Sequence, residues 1–128
     1  MKIKQTTFYA LQAIRKIYLE EQRIVTSKAI ADQEGMSQGV LLKQLRTLAN
    51  SGILCAHQGR GAVCGGFSLI KSIDDITLLD VIDVMEHVDI CANLDEEKDS
   101  HLFHSCYRIN DSLREEFSKY TIRDLYGL

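Results

Sequence analysis

The sequence contains no long apolar run, and none of its segments approaches the roughly 18 to 20 residues that a membrane-spanning helix needs. Its first residues, Met1 to Thr6, also lack the apolar stretch of a secretory signal peptide. We therefore expect a cytoplasmic protein without a membrane partner. With 128 residues, of which 45% are hydrophobic, the chain suits one compact domain with an appended helix.

Recognisable catalytic machinery is also missing. No nucleophile stands at a known spacing from a base, and no pair of carboxylates stands out from the surface acids. The glycine-rich stretch 59–66 joins two predicted strands. A phosphate-binding loop would instead lead from a strand into a helix. An enzyme is therefore the least favoured class of function.

Cysteine is sparse, and the spacing of Cys55, Cys64, Cys91 and Cys106 matches no zinc-finger pattern. In the cytosol thiols are kept reduced, so these residues are expected to be free thiols or metal ligands and not disulfides.

The net charge of -3 taken alone argues against a nucleic-acid partner, but the charges are unevenly distributed. Residues 1–71 hold ten basic and four acidic side chains, a charge of +6, whereas residues 72–128 hold five basic and fourteen acidic ones, a charge of -9. This asymmetry suits a DNA-binding head joined to a body that avoids phosphate.

Two short helices separated by a turn are predicted in the first half of the sequence. Thr26 is the expected N-cap of the first, and Gly35 lies in the turn that follows it. The second helix opens at Ser37 and stops at Ser51, with Leu41, Leu45 and Leu48 as its buried row.

A hairpin is predicted next, with strands at 53–58 and 67–70 and a glycine-rich tip at 59–66 that includes Gly65 and Gly66. Two helices followed by such a hairpin are typical of a winged helix-turn-helix, which reads DNA with its second helix and its wing. The predicted fold is therefore mainly α with a small β-hairpin wing.

The remaining segments read mostly as helices. A first helix at about 5–21 has an apolar face formed by Leu11, Ile14, Ile17 and Tyr18. A capping box at 77–80 opens a helix that ends near 87–89, and an acidic loop follows at 90–100. A longer helix begins near 101, and a second capping box at 121–124 starts a last short turn. The apolar stripe of the longer helix suits either the core or a dimer interface. The two-fold symmetry usual in operator-binding winged helices favours an interface formed by Ile109, Leu113, Phe117 and Tyr120.

A polar stripe on the second helix of the helix-turn-helix carries the candidate DNA contacts. We assign Gln38 and Lys43 to base edges and Arg46 to the phosphate backbone, whereas Arg60 at the hairpin tip suits a narrow minor groove. The alternatives are a solvated helix face and a flexible exposed loop. The full set of candidate DNA-binding residues is Thr26, Ser27, Lys28, Ser37, Gln38, Gly39, Lys43, Arg46, Arg60, Gly65 and Gly66.

Several segments stand in the order expected of one family of bacterial regulators. They are 25–31, 36–41, the helix exit at 51–54, the Gly65-Gly66-Phe67-Ser68-Leu69 run, the stretch 75–82 and 121–125. Over nearly its whole length the chain resembles the Rrf-two family, which includes the iron-sulfur cluster assembly repressor, the nitric-oxide-sensing repressor and the cysteine-metabolism repressor. The resemblance implies a dimeric winged-helix transcription factor, commonly a repressor, whose long C-terminal helix pairs with its partner.

The resemblance also implies an iron-sulfur cluster in many members, held by three cysteines in the loop before that helix. Here Cys91 matches the first ligand position and Cys106 the last, and the middle cysteine is missing. Three interpretations remain open. Cys91, His101, His104 and Cys106 could form a mixed cluster or metal site. A thiol switch could use Cys91, Cys106 or Cys64. The cysteines could instead be small hydrophobes, with both histidines on a helix surface and no sensing.

The leading function is DNA binding by a homodimer in response to a redox, metal or metabolite signal. Residues 1–89 would form the DNA-binding part, and residues 90–128 the sensor loop and dimerisation helix. The alternative is a winged-helix module that binds another protein, and the positive charge of the head is the feature that distinguishes the two.

Overall fold

The computed structural model describes residues 2–20, 24–59, 64–86, 89–91 and 94–128, without the side chains of Glu34 and Cys64. Within these ranges the chain forms six helices and one antiparallel two-stranded sheet. Their order confirms the predicted fold class. The elements are α1 Gln5–Leu19, α2 Ser27–Glu34, α3 Gln38–Asn50, β1 Leu54–Gln58, β2 Cys64–Leu69, α4 Leu78–Met85, α5 Ser100–Ser118 and α6 Ile122–Tyr126.

Local hydrogen bonds explain where three of the helices begin. The Thr26 hydroxyl accepts from the backbone N–H of Ala29 at 3.1 Å and caps α2, as predicted. Thr77 opens α4 through a reciprocal capping box with Asp80, and Thr121 opens α6 in the same way with Asp124. Gly35 caps the C-terminal end of α2, and its φ of 68° is a conformation that glycine adopts without strain.

The hydrophobic core lies between α1, α3 and the sheet. Leu41, Leu45 and Leu48 of α3 are fully buried, as the helical spacing predicts. On α1 the predicted face is correct for Leu11, Ile14 and Ile17 but wrong for Tyr18, which is 40% exposed and lies against the guanidinium of Arg123. α1 also ends at Leu19, before the predicted boundary.

The second strand of the hairpin begins earlier than predicted. β2 begins at Cys64, so Gly65 and Gly66 belong to this strand, where Gly66 is paired with His57, and not to the tip. Beside them, Phe67 exchanges two backbone hydrogen bonds with Val25, of 2.9 and 2.8 Å, which fastens the strand to the lead into α2. The segment 60–63, including Arg60, lies outside the described residues.

The C-terminal segment returns to the head. Thr121 forms a β-bridge with Thr77, and the buried side chain of Ile122 packs into the same core as α1 and α3. α5 is joined to α4 by a paired hydrogen bond from Arg114 to Asp83, with distances of 2.8 and 2.9 Å. α4 ends at Met85, earlier than predicted.

Candidate nucleic-acid interface

α3 has one side fixed in the core and one side in solvent. Its buried row is locked by contacts with α1, α2 and β1. On the opposite side Gly39, Lys43, Arg46 and Asn50 are all exposed. The predicted polar stripe therefore exists, and it is presented by a helix that cannot rotate without opening the core.

The charged side chains on this exposed side of α3 are all basic. α3 contains Lys43 and Arg46 and no acidic residue. The Thr47 hydroxyl donates back to the carbonyl of Lys43 at 3.0 Å, so it is engaged within the helix. The two cations can approach a polyanion without a neighbouring carboxylate on their own helix.

The first turn of α3 is connected to α2 through side chains. Nε2 of Gln38 donates to Oγ of Ser27 at 3.4 Å, while Ser37 occupies the N-cap position without a side-chain cap bond. Ser27 is buried, which argues against its predicted role as a direct DNA contact. We expect it to orient Gln38 instead. Thr26 and Lys28 are exposed beside it.

Two residues of α3 were missed by the sequence reasoning. Val40 is 45% exposed, one turn before Lys43, and its methyl groups suit contact with a thymine methyl. Gln44 is a polar residue that is buried, which ties the centre of α3 to the core. The exposure of Val40 could have been found from the helical period, because it lies only three residues before Lys43.

Gly65 and Gly66 in the wing have no room for a side chain, because other parts of the protein lie close to them. A Cβ at Gly66 would lie 2.8 Å from Cγ2 of Ile24 and 2.9 Å from the carbonyl oxygen of Val25. A Cβ at Gly65 would lie 2.9 Å from the carbonyl oxygen of Gln58. Both glycines therefore help to close the hairpin onto the head, and their role as DNA contacts stays a prediction.

Of the predicted metal or redox residues, the structure brings two together. The thiol of Cys106 lies near the buried thiol of Cys91, whereas His101 and His104 are exposed. The ring of His104 packs edge-on against Phe103. His104 and Cys106 are two positions apart, a rotation of about 200° around the helix, so they point to opposite sides of α5. The thiol of Cys64 lies outside the described residues.

This donor set does not fit the cluster that the resemblance implies. Among the described residues no three His, Cys, Asp or Glu side chains gather into a group that could hold a metal ion. Two adjacent thiols are one fewer than the three cysteine ligands that the resemblance implies. The mixed site of Cys91, His101, His104 and Cys106 is not assembled.

Burial raises the pKa of the Cys91 thiol, and the nearby Cys106 and Asp89 add to the shift. We therefore expect iodoacetamide to alkylate the half-buried Cys106 several times faster than the buried Cys91 near neutral pH, because the thiolate is the nucleophile. Raising the pH should increase the rate at Cys91, since its neutral form then ionises. Peptide mass spectrometry over time measures both rates, and equal rates at pH 7 would contradict the expectation.

α5 exposes an unusual amount of apolar surface. Of its 19 residues, all described, only Asn110 is buried. Among the predicted interface residues Ile109 is 57% exposed and Tyr120 44% exposed, while Leu113 and Phe117 are half-buried. Leu102 and Tyr107 add further exposed apolar surface on the same helix.

Comparisons with known proteins agree with this architecture. A putative helix-turn-helix transcriptional regulator, BadM of Rhodopseudomonas palustris, is 27% identical over 88% of this chain and 72% of its own length. The structure resembles CymR, the global cysteine regulator of B. subtilis, with a TM-score of 0.72 and 24% identity over 100% of this chain and 98% of that one. It also resembles a putative transcriptional regulator from Listeria innocua, with a TM-score of 0.81 and 22% identity over 99% and 87% of the two chains.

No helix in the described ranges is long and apolar enough to span a membrane. The family model for the Rrf2 regulators, described as iron-dependent transcriptional regulators, matches residues 3–127. Its members are DNA-binding regulators and not enzymes, as the sequence analysis expected. The chain belongs to the Rrf2 family of transcriptional regulators.

Proposed function

We propose that this protein regulates transcription as a homodimer that binds double-stranded DNA with α3 in the major groove and the β1–β2 wing beside the minor groove. One observation carries this proposal. α3 presents Lys43 and Arg46 on an exposed side that has no acid, while its opposite side is locked in the core. A rigid cationic helix of this kind can hold its side chains in register with base edges and phosphates.

The charge distribution of the whole chain supports the same orientation. The fourteen acidic residues after position 71 would repel phosphate if they approached it. DNA is therefore expected on the α3 and wing side, at residues 1–89, with α5 directed away from it. The protein would act in the cytoplasm, where this DNA lies.

The exposed apolar surface of α5 supports dimer formation. Its exposed Leu102 and Ile109 leave an apolar surface without a cover in the single chain. A second copy related by a two-fold axis would bury this surface on both chains. It would also place the two α3 helices for successive major grooves, roughly 34 Å apart.

The DNA-binding proposal is tested by fluorescence anisotropy with the protein's own upstream region and with a shuffled duplex of equal length. We expect tighter binding to the upstream region at two salt concentrations and a steep loss of affinity with added salt. Equal affinity for both duplexes would favour non-specific binding. Absence of binding to either would favour a protein-binding module.

Replacing Ile109 with glutamate should convert the dimer to a monomer. The substitution places a charge in the apolar stripe that the proposed interface buries, and an unpaired buried charge costs several kcal/mol. Analytical ultracentrifugation should show the dimer dissociation constant rising by about a hundredfold or more.

Tyr107→Glu is the matched control for this experiment. Tyr107 is 54% exposed, close to the 57% of Ile109, but it lies on the opposite side of α5 because it is two positions before Ile109, a rotation of about 200° around the helix. The control should remain a dimer. Dissociation of both variants, or of neither, would show that the interface lies elsewhere.

A further inference from the structure

The segment before α5 is fixed to the inner side of that helix. The backbone N–H of Ile90 donates to Oδ1 of Asn110 at 3.4 Å, and Asn110 is the buried residue of α5. Cys106 lies one turn before Asn110 and therefore on the same side of the helix. This places Cys91, the next residue after Ile90, against Cys106.

Hydrogen bonds to both its N–H and its carbonyl hold the backbone of Cys91 in this position. Its N–H donates to Oδ1 of Asp89 at 2.8 Å, and its carbonyl accepts from the N–H of Leu94 at 3.0 Å. Its side chain is 5% exposed and lies near the thiol of Cys106. Both residues are free thiols. The placement of Ile90 against Asn110 brings the two thiols to the same side of α5, and a shift of the loop toward the helix would close them to the bonding distance of about 2.05 Å.

We propose that Cys91 and Cys106 form a dithiol site that a hydroperoxide oxidises to an intramolecular disulfide, and that this oxidation regulates DNA binding. The regulatory part rests on the proposed function. This dithiol site would take the place of the iron-sulfur cluster, which the residues present here do not fit.

The reaction balances with a hydroperoxide, ROOH, as the oxidant. The more accessible Cys106 attacks as a thiolate, the O–O bond breaks, and ROH leaves after taking up a proton, so that Cys106 becomes a sulfenic acid. The Cys91 thiolate then attacks this sulfur, the S–S bond forms and the S–O bond breaks. Hydroxide departs and takes the second proton as water. The two thiols lose two electrons in total, and the peroxide gains them.

A structural route connects this site to the head. The carboxylate of Glu86 accepts hydrogen bonds from the Lys4 backbone N–H and the Thr7 hydroxyl, at the start of α1. Glu86 is only five residues before Cys91 along the chain. A covalent bond from Cys91 to α5 therefore restrains a segment whose other end is attached to α1.

The disulfide is tested on the full-length protein with hydrogen peroxide, followed by non-reducing mass spectrometry. Trypsin cuts after Lys98, between the two cysteines, so a disulfide joins peptide 72–98 to peptide 99–108. We expect this linked pair in a chain of monomeric covalent mass that has lost two hydrogen atoms, and dithiothreitol should reverse it. Linkage through other cysteines, between two chains, or irreversible oxidation of Cys106 without linkage would overturn the proposal.

Variants separate the two parts of the inference. Cys91→Ser and Cys106→Ser should abolish the linked pair, whereas Cys55→Ser, which removes a half-buried thiol of β1, should keep it. Peroxide should change the DNA affinity of the wild type by about fivefold or more and leave that of both site variants unchanged. A disulfide without any change in affinity would overturn the regulatory role. If neither redox form binds DNA, the proposed function fails while the linked peptides still establish the dithiol chemistry.

Discussion

Replacing Gly66 with alanine will destabilise the folded protein by about 3 kcal/mol. Gly66 has a φ of 126°, which L-residues with a side chain rarely adopt. The added Cβ would also lie 2.9 Å from the Val25 carbonyl oxygen, and this backbone cannot move freely because Phe67 holds it by two hydrogen bonds. Urea denaturation followed by circular dichroism measures the change in unfolding free energy.

Gly39→Ala is the control for this substitution. A Cβ at Gly39 meets nothing within 4 Å, and the residue lies in the first turns of α3. Alanine there should leave stability unchanged or raise it by about 0.5 to 1 kcal/mol. Equal unfolding free energies for Gly66→Ala and the wild type would refute the close approach between β2 and the lead into α2.

The double variant Lys43→Ala with Arg46→Ala should lower affinity for the specific duplex by at least about tenfold at physiological salt. Both side chains extend from the exposed side of α3, where they are proposed to meet DNA. Each lost phosphate contact should also reduce the slope of log affinity against log salt by roughly one. Anisotropy titrations across a salt series measure both quantities.

Lys98→Ala provides the comparison, since it removes an exposed lysine from the acidic half of the chain. Its salt slope should match that of the wild type. If the double variant also kept the wild-type slope, α3 would not be the surface that meets phosphate. A reduced slope for Arg60→Ala would extend the interface to the wing.

Local signals made most of the fold predictable. The hydroxyls of Thr26, Thr77 and Thr121 start helices because each accepts from a backbone N–H three residues ahead. Such interactions are complete within a few residues, so one sequence suffices to find them. The exposed stripe of α3 was predictable for the same reason, since the helical period fixes which residues share a side.

The errors arose where distant segments meet. Gly65 and Gly66 look like tip residues in sequence, but the pairing of Phe67 with Val25, about 40 residues away along the chain, draws them into a strand. Tyr18 fits the apolar period of α1, yet it remains exposed beside Arg123 of the returning C-terminal segment. The hydrophobic periodicity of a segment does not indicate which distant segment it will contact.

The cysteine site depends both on helical spacing and on a contact between distant segments. That His104 and Cys106 face opposite sides of one helix follows from their spacing alone, and the mixed site could have been questioned on that ground. The contact between Cys91 and Cys106 required the loop to fold back onto α5, which Asn110 secures by accepting from Ile90. The sequence contains no local indication of that hydrogen bond.

The attachment of α5 to the head bears on which operators the proposed dimer will accept. Arg114 fastens the helix to Asp83, and the bridge between Thr121 and Thr77 fastens the chain that follows it. Each base pair inserted between two half-sites turns the second one by about 34° around the duplex axis. A flexible connection could follow that turn, whereas a pairing helix anchored at two places cannot. We therefore expect the dimer to tolerate little variation in half-site spacing. It should not bind genomic sites that have one extra central base pair.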